Sequence, residues 1–263
     1  MGNFERENID NNDVVLFTHW DSNLYELYEN QILVLGDSHT EVFRFIDTEN
    51  LNYFFPYICT VTGATSQVVI NINSKTDAFN IFNETINKYG KKTNKLLIML
   101  GEVDCGFLIW VRAKKEGISL DEQIDLSINN LFLFIESILK LENNDYEKSD
   151  IIITGCILPV VHDNKLLRTI HGTGIRAEAE VSQKLRTEKT LEYNQKLKTM
   201  CLKNGFQYID ITSQTMGSDK LLDDNYKRGG SSSLDPHLDN IKSGKLWREQ
   251  IMKLLETPKT LNI

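Results

Sequence analysis

The stretch Gln31-Ile32-Leu33-Val34-Leu35-Gly36-Asp37-Ser38-His39-Thr40 runs four aliphatic residues into a glycine and then four polar side chains. An aliphatic run without polar alternation fits a strand covered on both faces, the pattern of a parallel sheet inside an α/β domain. Ligands in such domains sit at the carboxyl ends of the strands, where this chain presents Asp37, Ser38 and His39 together. The segment that follows, Thr40 to Ile46, is compatible with a helix, so Ser38 or Thr40 falls near its first turn. Two readings of Ser38 stay open on the local sequence. Its oxygen is an N-cap accepting free backbone N–H groups, or it is a nucleophile beside N–H groups that favour developing negative charge.

The same pattern recurs along the chain. Leu96 to Leu100 is a second buried-strand candidate, and it also ends in glycine and acids, Gly101-Glu102-Val103-Asp104. Ser119-Leu120-Asp121-Glu122 reads as a capping box, followed by Ile124, Ile128, Leu131, Ile135 and Ile138 at helical spacing. Ile151 to Cys156 and Phe206 to Ile211 are further strands, the latter preceded by a helix from about Lys184 to Asn204 that Gly205 stops. Strand and helix alternating in this way imply right-handed crossovers and a mostly parallel sheet between helix layers, a three-layer α/β sandwich. A last helix from about Lys242 to Leu255 closes the domain, with Leu246, Trp247, Ile251, Leu254 and Leu255 as its packing face.

With 263 residues the chain is long enough for one large domain, taken as 30–263, with 1–29 as an N-terminal extension packed on it. A polar insertion at about 160–181 carries His162, Asp163, Arg168, His171 and Arg176. It reads either as a lid or binding loop or as a solvated excursion. Arg228 to Ser233 is a glycine- and serine-rich stretch, read as flexible, that leads into Leu234-Asp235-Pro236-His237.

Net charge of −8 and a pI near 5.2 argue against a nucleic-acid or anionic-membrane partner. Cys59, Cys105, Cys156 and Cys201 are widely spaced and form no CxxC pair, so reduced buried thiols are expected and zinc is not. No basic and apolar segment opens the sequence, Arg6 stands where a myristoylation motif needs Ser or Thr, and no apolar run has membrane-spanning length. The expectation is a cytoplasmic protein without membrane insertion, cofactor or metal, of undetermined oligomeric state.

Gly-Asp-Ser-His after a buried strand, the glycine of Thr62-Gly63-Ala64-Thr65, Gly-x-x-Asp after the next core strand and a late Asp/His pair, in this order, resemble the SGNH/GDSL hydrolase superfamily. Glu192-Tyr193-Asn194 through Tyr208-Ile209-Asp210 is similar to the helix–strand unit that precedes the family's histidine block. The resemblance covers residues from about 30 to 255 and implies the family's flavodoxin-like fold and acyl-ester chemistry. It makes Ser38 the nucleophile, His237 the base, Asp235 the carboxylate that orients it, and the Ser38 and Gly63 N–H groups the oxyanion hole. Asp37, His39, Glu102, Asp104, His171 and Arg176 are candidates to line the site, His39 as a structural rather than a catalytic residue. His162 and His171 are rival bases.

Two positions depart from the family pattern. The orienting Asp usually stands three residues before the His, where this chain has Leu234; Asp235 is two before. Pro236 keeps Asp235 extended, and in an extended segment residues two apart point the same way. Val103 occupies the place of an Asn that usually donates to the oxyanion. The resemblance implies hydrolysis of O-acyl esters, with O-acetyl groups on a carbohydrate as the expected substrate. An O-acyltransferase forming the same acyl-enzyme, and a non-catalytic glycan-binding module on the same fold, are the alternatives.

Overall fold

A computed structural model of the chain describes residues 4–9, 12–17, 31–46, 55–161, 178–179, 181–231 and 233–256. Two strands, β1 (Phe4–Ile9) and β2 (Asn12–Phe17), form an antiparallel hairpin. The main sheet holds β3 (Gln31–Gly36), β4 (Phe55–Thr60), β5 (Lys95–Met99), β6 (Ile151–Thr154) and β7 (Gln207–Ile209). All neighbours are parallel, in the order β4-β3-β5-β6-β7. Counted from β3, this is the 2-1-3-4-5 order of flavodoxin-like sheets, whose strand order reverses between the first and third strands. The loops after β3 and β5 flank that reversal.

The aliphatic run explains why β3 lies near the middle. Ile32, Leu33, Val34 and Leu35 are each at most 1% exposed and alternate between two hydrophobic layers. Leu33 and Leu35 face the layer that holds helices α1 (Ala78–Tyr89), α2 (Ile109–Glu116), α3 (Leu120–Ile138) and α4 (Gln183–Asn204). Ile32 and Val34 face the opposite layer, where Phe43 and Trp247 pack beside Val42 and Ile251. Trp247 belongs to α5 (Asn240–Glu256). Gly36 permits the close approach of β3 to β5, since a Cβ there would sit 2.1 Å from the Met99 carbonyl oxygen.

The expected caps are in place. Ser119 and Glu122 exchange both bonds of the capping box at α3, a motif worth about 1 kcal/mol. Gly205, at φ +81°, ends α4. Strand β7 is shorter than the sequence suggests, and β4 and α1 extend the list of elements. Pro56 obscures β4 in the sequence because proline lacks a ladder donor; the structure places it on an edge strand, where that is tolerated. All four cysteines are free and buried. Among the described residues no helix is long and apolar enough to cross a membrane.

Candidate active site

Residues Ser38–Phe45 coil into 3-10 turns directly after β3, and the cap is not the serine. The Asp37 carboxylate accepts the His39 N–H at 2.9 Å, so Asp37 caps the turns and the Ser38 hydroxyl is left for another partner. That partner is His237, whose Nε2 lies 2.8 Å from Ser38 Oγ. On the other side of the ring, Nδ1 lies 2.5 Å from Asp235 Oδ1. The same Asp235 oxygen accepts the His237 backbone N–H at 2.9 Å. The two-residue spacing therefore closes a local turn in which the carboxylate folds back onto the residue two ahead.

Asp235 is anchored by more than the histidine. Its N–H donates to Ser233 Oγ at 3.2 Å, and Arg228 Nη1 lies 3.7 Å from its second oxygen. The Arg228 guanidinium also bonds Asn240 and approaches Glu41 at 3.7 Å. The stretch read as flexible is a hydrogen-bonded turn over its described residues, with Gly229 and Gly230 at positive φ and Gly230 donating to the Lys227 carbonyl. Sequence reasoning missed Arg228 because an arginine beside two glycines carries no signal of its distant partners.

Burial raises the Asp235 pKa, but bonds from the His237 N–H and ring and the charges of His237 and Arg228 outweigh it, so the carboxyl lies below its ordinary value. Burial lowers the His237 pKa, and the neighbouring His39 and Arg228 add to this against the opposing pull of Asp235. His237 is thus held neutral further into acid than a solvated histidine, as a proton acceptor requires.

The glycine turn after β4 is tied to the serine turn. Val61 N–H donates to the Gly36 carbonyl at 2.9 Å, and the hydroxyls of Thr40 and Thr60 meet at 2.6 Å. Gly63, exposed and at φ +77°, turns the chain back, with Ala64 N–H on the Val61 carbonyl. Neither the Ser38 nor the Gly63 N–H donates to a described residue.

Asp104 does not line the site. It is fully buried and accepts the N–H groups of Ser66 and Gln67 at 2.8 and 2.9 Å and the Ser127 hydroxyl at 2.9 Å. Burial raises its pKa to about 6 in spite of those bonds, and the charge of Asp37 contributes to the rise. Its work is to brace the segment that follows Gly63. Asp37 is also closed off from solvent, at 1% exposure, and holds the His39 ring through Nδ1 at 2.8 Å. Glu102 and His39 are both buried, with His39 Nε2 3.7 Å from a Glu102 oxygen. The His39 ring packs on that of His237, centroids 4.5 Å apart and planes at 34°. Ser38 and His39 are neighbours in sequence, and both side chains reach the late histidine block. Val103 is buried in the hydrophobic layer and offers no side-chain donor. His162, His171 and Arg176 lie outside the described residues, and among the described ones no cluster of His, Cys, Asp or Glu is placed to hold a metal.

No family model and no curated protein matches this chain. Solved structures do. The aryl esterase of M. smegmatis superposes with a TM-score of 0.52 at 13% identity, covering 86% of this chain and 100% of that one. Its inhibitor-bound form gives 0.51 at 12% identity over 84% of this chain and 99% of that one. A GDSL-like lipase from Bacteroides thetaiotaomicron VPI-5482 gives 0.48 at 16% identity over 86% and 90%. At such identities the likeness is one of fold, and the superposition on the aryl esterase carries it.

Proposed function

We propose that this chain, whose α/β fold is that of the SGNH/GDSL hydrolases, is a serine ester hydrolase with Ser38 as nucleophile, His237 as base and Asp235 as its orienting carboxylate. The observation that carries the reading is the unbroken hydrogen-bond series from Ser38 Oγ through the His237 ring to Asp235 at 2.8 and 2.5 Å. A serine hydroxyl is a weak nucleophile at its free pKa and needs such a base.

In the proposed reaction Ser38 Oγ bonds to the ester carbonyl carbon while its proton passes to His237 Nε2. The carbonyl oxygen takes up the negative charge and faces the Ser38 and Gly63 N–H groups. His237 returns the proton to the leaving alkoxide, the C–O bond breaks, and an acyl-enzyme remains. Water, deprotonated by the same nitrogen, then splits it to the free acid. Ser38 is half-buried and Gly63 is exposed. This reading takes water rather than a second hydroxyl as the acceptor of the acyl group.

The substrate class is inferred from the resemblance in the motif blocks: an O-acyl ester, and within that class O-acetyl on a carbohydrate. An active-site phosphonylating probe followed by intact-mass measurement and peptide mapping tests the chemistry. The expected result is one adduct, on Ser38, suppressed by His237→Ala. An adduct on Ser231 or Ser233, or none on the folded protein, overturns the reading. Comparing acetyl with longer acyl esters of one alcohol, and then O-acetylated with deacetylated glycans, tests the substrate class.

A further inference from the structure

The backbone sets Arg228 across from the catalytic histidine. Lys227 and Leu238 pair in an antiparallel bridge, the Asp239 N–H donates to the Tyr226 carbonyl at 2.7 Å, and the Arg228 N–H donates to the His237 carbonyl at 3.3 Å. Its side chain then meets three partners. Nη2 donates to Asn240 Oδ1 at 2.8 Å, Nη1 lies 3.7 Å from Asp235 Oδ2, and Nη2 lies 3.7 Å from Glu41 Oε2. The Asn240 contact is a hydrogen bond, whereas the two at 3.7 Å are ion pairs too long for one. Asn240 therefore fixes the guanidinium, and the carboxylates flank it. Glu41 stands three residues after Ser38, on the nucleophile's own turn.

Resting on the serine-hydrolase reading, we propose that Arg228 is a positioning residue: its guanidinium, fixed by Asn240, holds the second oxygen of Asp235 and joins the loop of the base to the turn of the nucleophile through Glu41. Asp235 Oδ1 serves the His237 N–H and the ring Nδ1 together, while Oδ2 faces the arginine. The Asp235 side chain is 34% exposed, so water competes for its oxygens. A cation at Oδ2 favours the one orientation of the carboxyl plane in which Oδ1 meets Nδ1. This is the contact that the two-residue Asp–His spacing needs from outside its own turn.

Arginine suits the place for a geometric reason. Its planar fork carries donors on two arms and serves Asn240 and both carboxylates at once, which a lysine ammonium, a compact point charge, does not. Arg228 and Asp235 are both about one-third exposed, and solvent weakens a purely electrostatic effect between such groups. The charge of Arg228 is accordingly the smallest of the named influences on Asp235 and on His237. Its effect on the reaction runs through the placement of Asp235.

Kinetics on an activated acetyl ester and one spectroscopic signature test the proposal. Arg228→Gln should lower kcat about tenfold and change KM less than about twofold. Arg228→Lys, which keeps the charge and loses the fork, should recover only part of this. In an Asp235→Asn background Arg228→Gln should cost less than about twofold, because the residue it acts through is already gone. A merely structural role would cost the same in both backgrounds. The downfield proton resonance of His237 Nδ1–H, which reports the bond to Asp235, should move upfield in folded Arg228→Gln. Equal losses in the two backgrounds, an unmoved resonance, or full recovery by Arg228→Lys overturns the proposal. If Arg228→Gln does not fold, Asn240→Ala releases the fork and should lower kcat about threefold and shift the same resonance, and parent-like values there overturn it as well. If the parent neither turns over the ester nor takes the phosphonylating probe, the serine-hydrolase reading has failed, and the Nδ1 resonance alone decides whether Arg228 places Asp235.

Discussion

Asp37-Ser38-His39 and Asp235-Pro236-His237 stand almost two hundred residues apart and adopt the same local arrangement. In each, one carboxylate oxygen accepts both the backbone N–H and the ring Nδ1 of the histidine two residues on, at 2.9 and 2.8 Å in the first and 2.9 and 2.5 Å in the second. The units also cross: His237 Nε2 reaches Ser38, the middle residue of the first, and His39 Nε2 reaches the carbonyl of Pro236, the middle residue of the second. Their surroundings differ. The Asp37 side chain is 1% exposed and that of Asp235 34%, and Nε2 of the first histidine faces a carbonyl oxygen where that of the second faces a hydroxyl. Spacing makes an Asp–His pair, and the partner at Nε2 decides whether the pair can move a proton.

The comparison breaks most visibly at the histidines. His237→Ala should cost at least about four orders of magnitude in turnover of an activated ester, because the nucleophile loses its base. Steady-state kinetics on the folded variant check this, and a loss below about tenfold would assign the base to the other unit.

The carboxylates sharpen it. Asp235→Asn is expected to lower turnover by at least about two orders of magnitude without loss of folding. Asp37→Ala should act mainly on stability, removing about 2 kcal/mol by leaving the buried His39 ring and the backbone N–H of the turn without their carboxylate. Asp235→Ala, at a partly exposed position, should cost no more than about 1 kcal/mol. Denaturant titration measures both, and equal losses would remove the distinction between a structural and a functional pair.

A smaller effect is expected at Gly63. Proline, whose φ is fixed near −65°, cannot adopt the +77° found here, so Gly63→Pro cannot isolate the loss of one donor. Gly63→Ala keeps the N–H but strains it, at about 1 kcal/mol of stability. A misplaced oxyanion donor should then reduce turnover by about tenfold. Parent-like kinetics in this variant would mean the Gly63 N–H does not face the developing charge.

The smallest expected effect is on pH. The pKa of His237 is lowered in the folded protein, first by burial. Its neutral form then persists below the ordinary histidine value of about 6.5, and the acid limb of Ser38 labelling should lie below that pH. The linked stability is present above about 6.5 and declines as pH falls from there through the folded value. A limb at or above 6.5 would mean that burial does not hold His237 neutral.

Much of this arrangement was legible in the chain. The unbroken aliphatic runs at Ile32–Leu35 and Leu96–Leu100 read as central strands because a two-sided burial leaves no polar alternation. Ser119, Glu122 and Gly205 marked helix ends because caps are satisfied within a few residues. Strand β4 and helix α1 were missed: Pro56 interrupts the strand signal, and Asp77 caps no helix N–H with its side chain. The local sequence leaves Ser38 between cap and nucleophile, since both roles place a hydroxyl after a strand, and it is the order of the motif blocks that reads as the nucleophile. Asp104 reads as a candidate to line the site from its Gly-x-x-Asp block, whereas its partners Ser66, Gln67 and Ser127 come from other parts of the chain.

The sequence by itself determined the parallel α/β architecture, the order of the motif blocks and the local pairing of Asp235 with the histidine two residues on. These depend on periodicity and on contacts within a turn, which short-range covalent geometry governs. Only the tertiary structure decided that Asp37 holds His39, caps the turn and frees Ser38, that Asp104 braces the glycine loop, that Arg228 steadies Asp235, and that the two imidazoles pack against each other at a tilt. Each of those depends on burial and on distances between atoms far apart in the chain. Such distances are set by how the sheet packs, and the strength of a charge or a hydrogen bond there follows from how much water the packing leaves.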